Sequence, residues 1–214
     1  FNMPHSIVIK NGIDIQKFDP TKTCDLTKED LLLPSNKLII GMIARLTVQK
    51  DPLTFIKAAA LALKEMPQLH FALIGGGDLE DEAKAMAKSL GIESSISFPG
   101  FNSNVPAVLK LLDIYCLPSL WEGLPIGLIE AMAMKKAVVA TPVDGTLEVV
   151  THQQNGLLSP IKNEKLLAEK FLILANDEAL RKSLGEAARS SVEKTFTDEA
   201  VAQQVEKAYA NLLS

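Results

Sequence analysis

Short apolar runs alternate with stretches of helical spacing, and this alternation constrains the fold more than any other feature of the sequence. The predicted strands are residues 38–43, 69–74, 96–98, 113–118, 137–141 and 156–158. Helices are predicted to begin near Asp51, Leu79, Asn104, Pro125, Glu164, Asp177 and Thr197. Strands that alternate with helices indicate a parallel sheet covered on both faces. We therefore expect an α/β, Rossmann-like, doubly wound sheet of about six strands, in which ligands bind beyond the carboxyl ends of the strands.

The first 36 residues lack this rhythm. Residues 6–9 predict a short strand that ends at the turn sequence Asn11-Gly12, and one short helix is expected near Leu31. We interpret residues 1–36 as an interdomain linker and domain edge, and residues 37–214 as one domain. Because Phe1 is not an initiator residue, we expect the chain to be a fragment of a longer protein.

Composition excludes several classes of function. The formal net charge of −4 argues against a general nucleic-acid binder, and Lys and Arg are scattered rather than clustered. No apolar run approaches the length of a membrane span. The two cysteines, Cys24 and Cys116, have no metal-ligand spacing, and such cysteine usage favours a reducing compartment.

Residues 121–130 carry the strongest functional pattern. Pro125 suits the first position of a helix, where its missing N–H costs nothing. Leu124, before it, has no side-chain oxygen to cap the helix, so the N–H groups of Ile126 and Gly127 are left without a local partner. An uncapped helix start after a buried strand attracts anions, because the positive end of the helix dipole faces outward.

Glu130 lies on or beside the apolar stripe of the same predicted helix. A carboxylate in that position needs hydrogen-bond donors. Sugar hydroxyls would supply them, and a buried Arg or a backbone N–H would do so equally well. The local pattern leaves both alternatives open.

Arg45 and Lys50 share the loop after the first predicted strand. A guanidinium fork and a mobile ammonium beside an uncapped helix start would form a diphosphate site, although two basic residues in a loop are usually solvated surface. The glycine run 75–77 lacks the dinucleotide spacing and the P-loop Lys, and we interpret it as a structural turn. The acidic residues at 78, 80 and 81 are expected to favour a helix start rather than to bind a metal.

Together these positions resemble the donor-binding, C-terminal half of retaining GT-B glycosyltransferases of the family-4, or group 1, type. The central features are Arg45 with Lys50, and Glu122 with Glu130, which seven intervening residues separate in a Glu-Gly-Leu-Pro and Glu-Ala-Met context. The resemblance runs from about residue 7 to the C-terminus. It includes Asn11-Gly12-Ile13-Asp14, Gly75-Gly76-Gly77-Asp78, Pro99-Gly100-Phe101, Val138-Val139-Ala140-Thr141 and Asn155-Gly156.

The resemblance implies a role for each of these positions. Arg45 and Lys50 would hold the diphosphate of a nucleotide-sugar and stabilise the charge that develops on it, in place of a metal ion. Glu122 would bind the transferred sugar and Glu130 the ribose. The backbone around Phe101 and Asn102 would contact the base. The remaining residues expected in the nucleotide-sugar site are Gly123, Leu124, Ile126 and Gly127.

Three positions depart from the family pattern. Lys135 and Ala137 stand where the family usually has Gly and Pro, and Asp144 stands where it has the first Gly of a pair. The resemblance also implies that an N-terminal domain, which carries the acceptor site, is absent from this chain. The helix that begins near Thr197 is expected to pack against that domain.

The resemblance thus implies a hexosyltransferase that uses a nucleotide-sugar, with UDP-sugars favoured. It would act on a glycan or lipid-linked acceptor in bacterial cell-surface polysaccharide synthesis. No metal or other cofactor is expected. The enzyme would be cytoplasmic, either free or peripheral to the inner face of the membrane, and this fragment alone would be inactive. A sugar-nucleotide epimerase half and a non-catalytic nucleotide-binding module are the alternatives.

Overall fold

All six strands of the sheet run parallel, in the order β3-β2-β1-β4-β5-β6. The computed structural model describes residues 7–213. The strands are β1 (Leu38–Ile43), β2 (Leu69–Ile74), β3 (Ile96–Gly100), β4 (Ile114–Leu117), β5 (Ala137–Ala140) and β6 (Leu157–Leu158). The predicted Rossmann-like sheet of about six strands is therefore confirmed. The strand order reverses between β1 and β4, and this switch point is where open parallel sheets form ligand crevices.

Helices cover both faces of the sheet. They are α1 (Pro52–Glu65), α2 (Glu80–Ser89), α3 (Val105–Lys110), α4 (Ile126–Ala133), α5 (Asp144–Leu147), α6 (Glu164–Asn176), α7 (Glu178–Thr195) and α8 (Asp198–Leu213). Helices α1, α2 and α6 contribute to one core cluster, α3 and α4 contribute to the other, and α7 contributes to both. In the first cluster the rings of Phe55, Phe71 and Phe171 pack with centroids 5.7 to 5.8 Å apart.

The segment before the sheet differs in part from expectation. Residues 7–12 form no strand, so the predicted strand at 6–9 is wrong over residues 7–9, and residue 6 lies outside the described residues. Ile13 instead forms an isolated parallel bridge with Thr197. The expected short helix near Leu31 is a 3-10 helix, Glu29–Leu31. Ile13 and Leu31 are buried in the second core cluster, so this segment packs onto the domain.

Two local predictions need correction around the functional region. Pro125 is the N-cap residue of α4 and not its first helical residue, because its ψ of 85° lies outside the helical range. The short helix α5 was not predicted, since four residues are too few to show helical spacing. Within residues 7–213, no helix combines the length and the apolarity needed to span a membrane.

Candidate functional site

Two loops meet at the switch point of the sheet, one between β1 and α1 and the other between β4 and α4. The N–H of Leu120 donates to the carbonyl of Gln49 at 2.8 Å. The side-chain Nε2 of Gln49 donates to the carbonyl of Trp121 at 3.0 Å. These bonds bring the predicted positions Lys50 and Glu122 to one edge of the sheet, although 71 residues separate them in the chain.

Lys50 and Glu122 form an ion pair. The Nζ of Lys50 lies 2.5 Å from Oε1 of Glu122, and the Glu122 side chain is only 5% exposed. Ser119, which is fully buried, donates from Oγ to the same Oε1 at 2.6 Å. Because both donors bind one oxygen, Oε2 of Glu122 keeps its acceptor capacity for a further donor.

Helix α4 begins without a side-chain cap, as the sequence predicts. Its N-cap is Pro125, which offers no hydrogen-bonding side chain. Within the described part of the chain, the N–H groups of Ile126 and Gly127 have no hydrogen-bond acceptor. They border a cavity of about 290 Å³ that Lys50 and Glu122 also line. The cavity therefore combines a cation, a carboxylate and unpaired backbone donors.

Close backbone packing supports the loop before α4. A side chain at Gly145 would overlap the carbonyl oxygen of Gly123, and the N–H of Gly145 donates to the carbonyl of Glu122 at 3.3 Å. Gly145, the second position of the family's glycine pair, is thus the one where close packing against Gly123 requires a glycine. Asp144, which replaces the first, is exposed at the start of α5, where an acidic side chain is favourable.

Arg45 is exposed, and its guanidinium has no hydrogen bond or ion pair among residues 7–213. It borders two further cavities. One, of about 460 Å³, is lined by Phe101 and Asn102, and the other, of about 620 Å³, is lined by Lys50 and Trp121. Arg45 therefore lies where the predicted base-binding and diphosphate-binding regions adjoin.

Phe101 presents 83% of its surface beside the 460 Å³ cavity. Asn102 uses Oδ1 to accept the N–H of Asn104 at 2.8 Å, a turn that leads into α3. The adjacent glycine run is a structural turn, as predicted. A side chain at Gly75 would overlap the carbonyl oxygen of Ala44, so the glycines allow residues 75–77 to pack against the Arg45 loop.

Glu130 is half-buried on α4. Burial raises the pKa of its carboxyl group, and the positive charge of Lys17 partly opposes that rise. No hydrogen bond to its carboxylate occurs within the described residues, so the structure offers no internal partner of the kind that would make Glu130 purely structural. Its capacity to accept hydrogen bonds remains open to a ligand.

Sequence reasoning missed two features of this site. It assigned Lys50 and Glu122 to different parts of a ligand and did not predict their ion pair, since the pair depends on the alignment of β1 and β4. It also omitted Ser119, whose place directly after Pro118 at the end of a strand was the only available indication. Among residues 7–213, no group of three or more His, Cys, Asp or Glu residues could hold a metal ion.

The family model "Glycosyl transferases group 1" matches residues 25–191. The chain belongs to this family. The resemblance noted in the sequence is therefore confirmed, and the fold agrees, because solved glycosyltransferases share it. The glycosyltransferase from Rickettsia africae is 26% identical with a TM-score of 0.82, over 97% of this chain and 57% of that one.

Two curated relatives illustrate the family. The chain is 33% identical over 211 residues to the Campylobacter jejuni N,N'-diacetylbacillosaminyl-diphospho-undecaprenol alpha-1,3-N-acetylgalactosaminyltransferase, covering 96% of this chain and 54% of that protein. It is 28% identical over 177 residues to the Escherichia coli UDP-Gal:alpha-D-GlcNAc-diphosphoundecaprenol alpha-1,3-galactosyltransferase, covering 81% of this chain and 46% of that protein. The chain thus spans about half the length of these relatives.

One solved structure is an isolated domain, and it matches this chain over its whole length. It is the C-terminal domain of a glycosyl transferase group 1 family protein from Francisella tularensis, with a TM-score of 0.75 and 27% identity. The match covers 87% of this chain and 100% of that domain.

Proposed function

We propose that the chain binds the diphosphate of a nucleotide-sugar donor between the Arg45 loop and the N-terminus of α4. One observation carries the proposal. The unpaired N–H groups of Ile126 and Gly127 open onto the cavity that Lys50 and Glu122 line, at the switch point of the sheet. Unpaired amides and the positive end of a helix dipole bind phosphate oxygens.

The other site residues take the roles that their surroundings support. Arg45 and Lys50 hold the diphosphate and stabilise the charge that develops on it as the sugar leaves, so no divalent metal is needed. Glu122, through Oε2, binds hydroxyls of the transferred sugar, with Gly123 and Leu124 beside it. Glu130 accepts hydrogen bonds from the ribose. The base lies in the cavity beside Phe101 and Asn102, between them and Arg45.

The reaction of the whole protein follows by extension. We infer a retaining hexosyltransferase that uses a UDP-sugar and a glycan or lipid-linked acceptor in bacterial cell-surface polysaccharide synthesis, at the cytoplasmic side of the membrane. The C. jejuni and E. coli relatives support this, because their names specify undecaprenol-diphosphate acceptors. So does the Anabaena protein HepE, 25% identical with a TM-score of 0.82, which was solved with UDP and glucose. Family membership favours the transferase over the epimerase alternative.

Calorimetric titration of the chain with UDP, GDP and ADP tests donor binding directly. We expect one nucleoside diphosphate to bind in a buffer that contains EDTA, with uridine or the matching nucleoside binding far more weakly. Binding that EDTA abolishes would contradict the metal-free site. If none of the three diphosphates bound, the proposed function itself would be rejected.

Turnover by the full-length parent protein separates the transferase from a non-catalytic module. The transferase predicts transfer of the sugar to an undecaprenol-diphosphate saccharide with retention of anomeric configuration, which NMR of the product reports. A parent protein that binds UDP-glucose tightly but transfers no sugar to any such acceptor supports the non-catalytic alternative.

A further inference from the structure

Tyr115 carries a buried hydroxyl that the predicted site does not use. The residue lies in β4 and is 1% exposed, with its ring in the second core cluster. It also lines the 290 Å³ cavity together with Lys50, Glu122 and the start of α4. A buried polar group at a cavity wall needs a hydrogen-bond partner of good geometry.

The partner that the protein provides is a weak one. Tyr115 Oη donates to the carbonyl of Ile43 at 3.3 Å, beyond the 2.5 to 3.0 Å that is usual for a hydroxyl donor. A Cβ atom added to Gly127 would lie 3.2 Å from the same Oη. The hydroxyl therefore lies directly against the first turn of α4, beside the unpaired N–H groups.

The charges around Tyr115 locate its hydroxyl within the site. Burial raises the pKa of this hydroxyl far above its usual range, and the carboxylates of Glu130 and Glu122 raise it further. The hydroxyl is thus a neutral donor at physiological pH. The proposed function assigns these two carboxylates to the ribose and to the sugar, and the diphosphate is the part of the ligand between those groups.

We propose that Tyr115 is a further diphosphate-binding residue, whose hydroxyl keeps its proton and exchanges its hydrogen bond to the Ile43 carbonyl for one to a phosphate oxygen when the nucleotide binds. The inference rests on the proposed function. A hydrogen bond to a charged acceptor is shorter and about twice as strong as one to a neutral carbonyl, so the exchange favours the ligand. Because only the hydroxyl takes part, the ring continues to pack in the core.

Tyr115→Phe isolates the hydroxyl, because the substitution keeps the ring. We expect the Kd for UDP to rise about 3- to 10-fold and the Kd for uridine to change less than about 2-fold. Tyr209→Phe is the matched control, since Tyr209 is the only other tyrosine and is 64% exposed on α8. It should leave both Kd values unchanged, and urea titrations establish that each variant is folded.

The outcomes separate this inference from the proposed function. Unchanged UDP binding by a folded Tyr115→Phe protein overturns the role of Tyr115 and leaves the donor site standing. Equal losses for UDP and uridine also overturn it, because the hydroxyl would then serve the nucleoside or the packing. A wild-type chain that binds no nucleoside diphosphate rejects the proposed function first.

Fluorine NMR gives a second test that needs no substitution at position 115. Labelling with 3-fluorotyrosine produces two resonances, which the Tyr209→Phe protein assigns. The Tyr115 resonance should shift on addition of UDP and stay in place on addition of uridine. A Tyr115 resonance that does not respond to saturating UDP overturns the inference even if Tyr115→Phe fails to fold.

Discussion

Helices α1 and α4 follow adjacent parallel strands and start at the same edge of the sheet, yet they start in opposite ways. Asp51 caps α1, since its Oδ1 accepts the N–H of Thr54 at 3.2 Å and its Oδ2 accepts the Thr54 hydroxyl at 2.7 Å. Pro125 leaves the first N–H groups of α4 unpaired. The protein thus satisfies the start of α1 internally, whereas the start of α4 has no side-chain cap and is the position that the proposed function assigns to the diphosphate.

The two helices also differ in the residues along their length, because only α4 has a carboxylate among its partly buried positions. The core-facing positions of α1 are apolar or small, among them Phe55, Ile56 and Ala59, each with no exposed surface. Helix α4 carries Glu130, a carboxylate whose ionised form burial disfavours. Both helices bury apolar residues, but α4 also holds polar groups without a hydrogen-bond partner in the described chain, and the proposed function assigns these groups to the nucleotide.

Arg45→Ala should have the largest effect and tests whether the loop before α1 serves the ligand. We expect UDP binding to weaken by about 1.5–3 kcal/mol, the range for a hydrogen bond to a charged group, and uridine binding to stay nearly unchanged. Stability should not change, because Arg45 is exposed. Calorimetry measures the affinities, and Lys64→Ala, which removes an exposed positive charge at the far end of α1, is the control. Equal losses for UDP and uridine would exclude a phosphate contact.

Asp51→Ala tests the stabilising role of the α1 start. Asp51 has a φ of 49°, in the left-handed region, so Ala there loses the cap and adds backbone strain. We expect the free energy of unfolding to fall by about 2 kcal/mol, measured by urea titration, while UDP affinity changes little. Asp51→Asn keeps the cap and tolerates this φ, so it should lose much less. Equal destabilisation by both variants would exclude capping as the cause.

Glu130→Gln tests the opposite role of α4. It should weaken UDP, UDP-glucose and uridine alike, by about 1.5 kcal/mol, because the ribose loses an ionised acceptor. Glu122→Gln is the matched control on the neighbouring loop, and it should weaken UDP-glucose while leaving UDP nearly unchanged. Equal losses for UDP in the two variants would reject this division between ribose and sugar.

The wild type and Glu130→Gln should also differ in how their stability depends on pH. Since the pKa of Glu130 is raised above 4.5 in the folded state, the folded protein loses stability as pH rises from 4.5 through that higher pKa. Glu130→Gln removes this loss. The variant should therefore be at least as stable as the wild type at pH 7, and its advantage should shrink as pH falls towards 4.5. A variant that binds UDP normally but melts at a much lower temperature would show that Glu130 is structural.

The smallest expected effect is a change in stability from a substitution just after the C-terminal end of α4. Lys135, where the family has Gly, has a φ of 56°, and the N–H of Lys136 after it donates to the carbonyl of Ala131 at 3.0 Å. Lys135→Gly should raise the free energy of unfolding by about 0.5 kcal/mol without altering UDP affinity, because Gly adopts this conformation without strain. The variant also loses an exposed ion pair with Glu186, at 2.8 Å, which contributes little. Glu186→Gln measures that contribution separately, and a less stable Lys135→Gly protein would contradict the strain argument.

The sequence by itself determined the fold class, the six strands and the uncapped start of α4. These features depend on local chemistry. Apolar runs and helical spacing specify strands and helices, and the lack of a capping side chain at Leu124 or Pro125 is visible in the residues themselves. The family resemblance could be recognised from the sequence because the motifs occur along the chain in the order typical of the family.

Only the tertiary structure decided how these groups meet. The ion pair of Lys50 and Glu122 and the bond from the Tyr115 hydroxyl to the Ile43 carbonyl both require the alignment of β1 with β4. The prediction of an N-terminal strand was wrong for a related reason. The bridge in this segment joins Ile13 to Thr197, which lies near the other end of the chain. Contacts between distant segments depend on packing geometry, which local spacing does not encode.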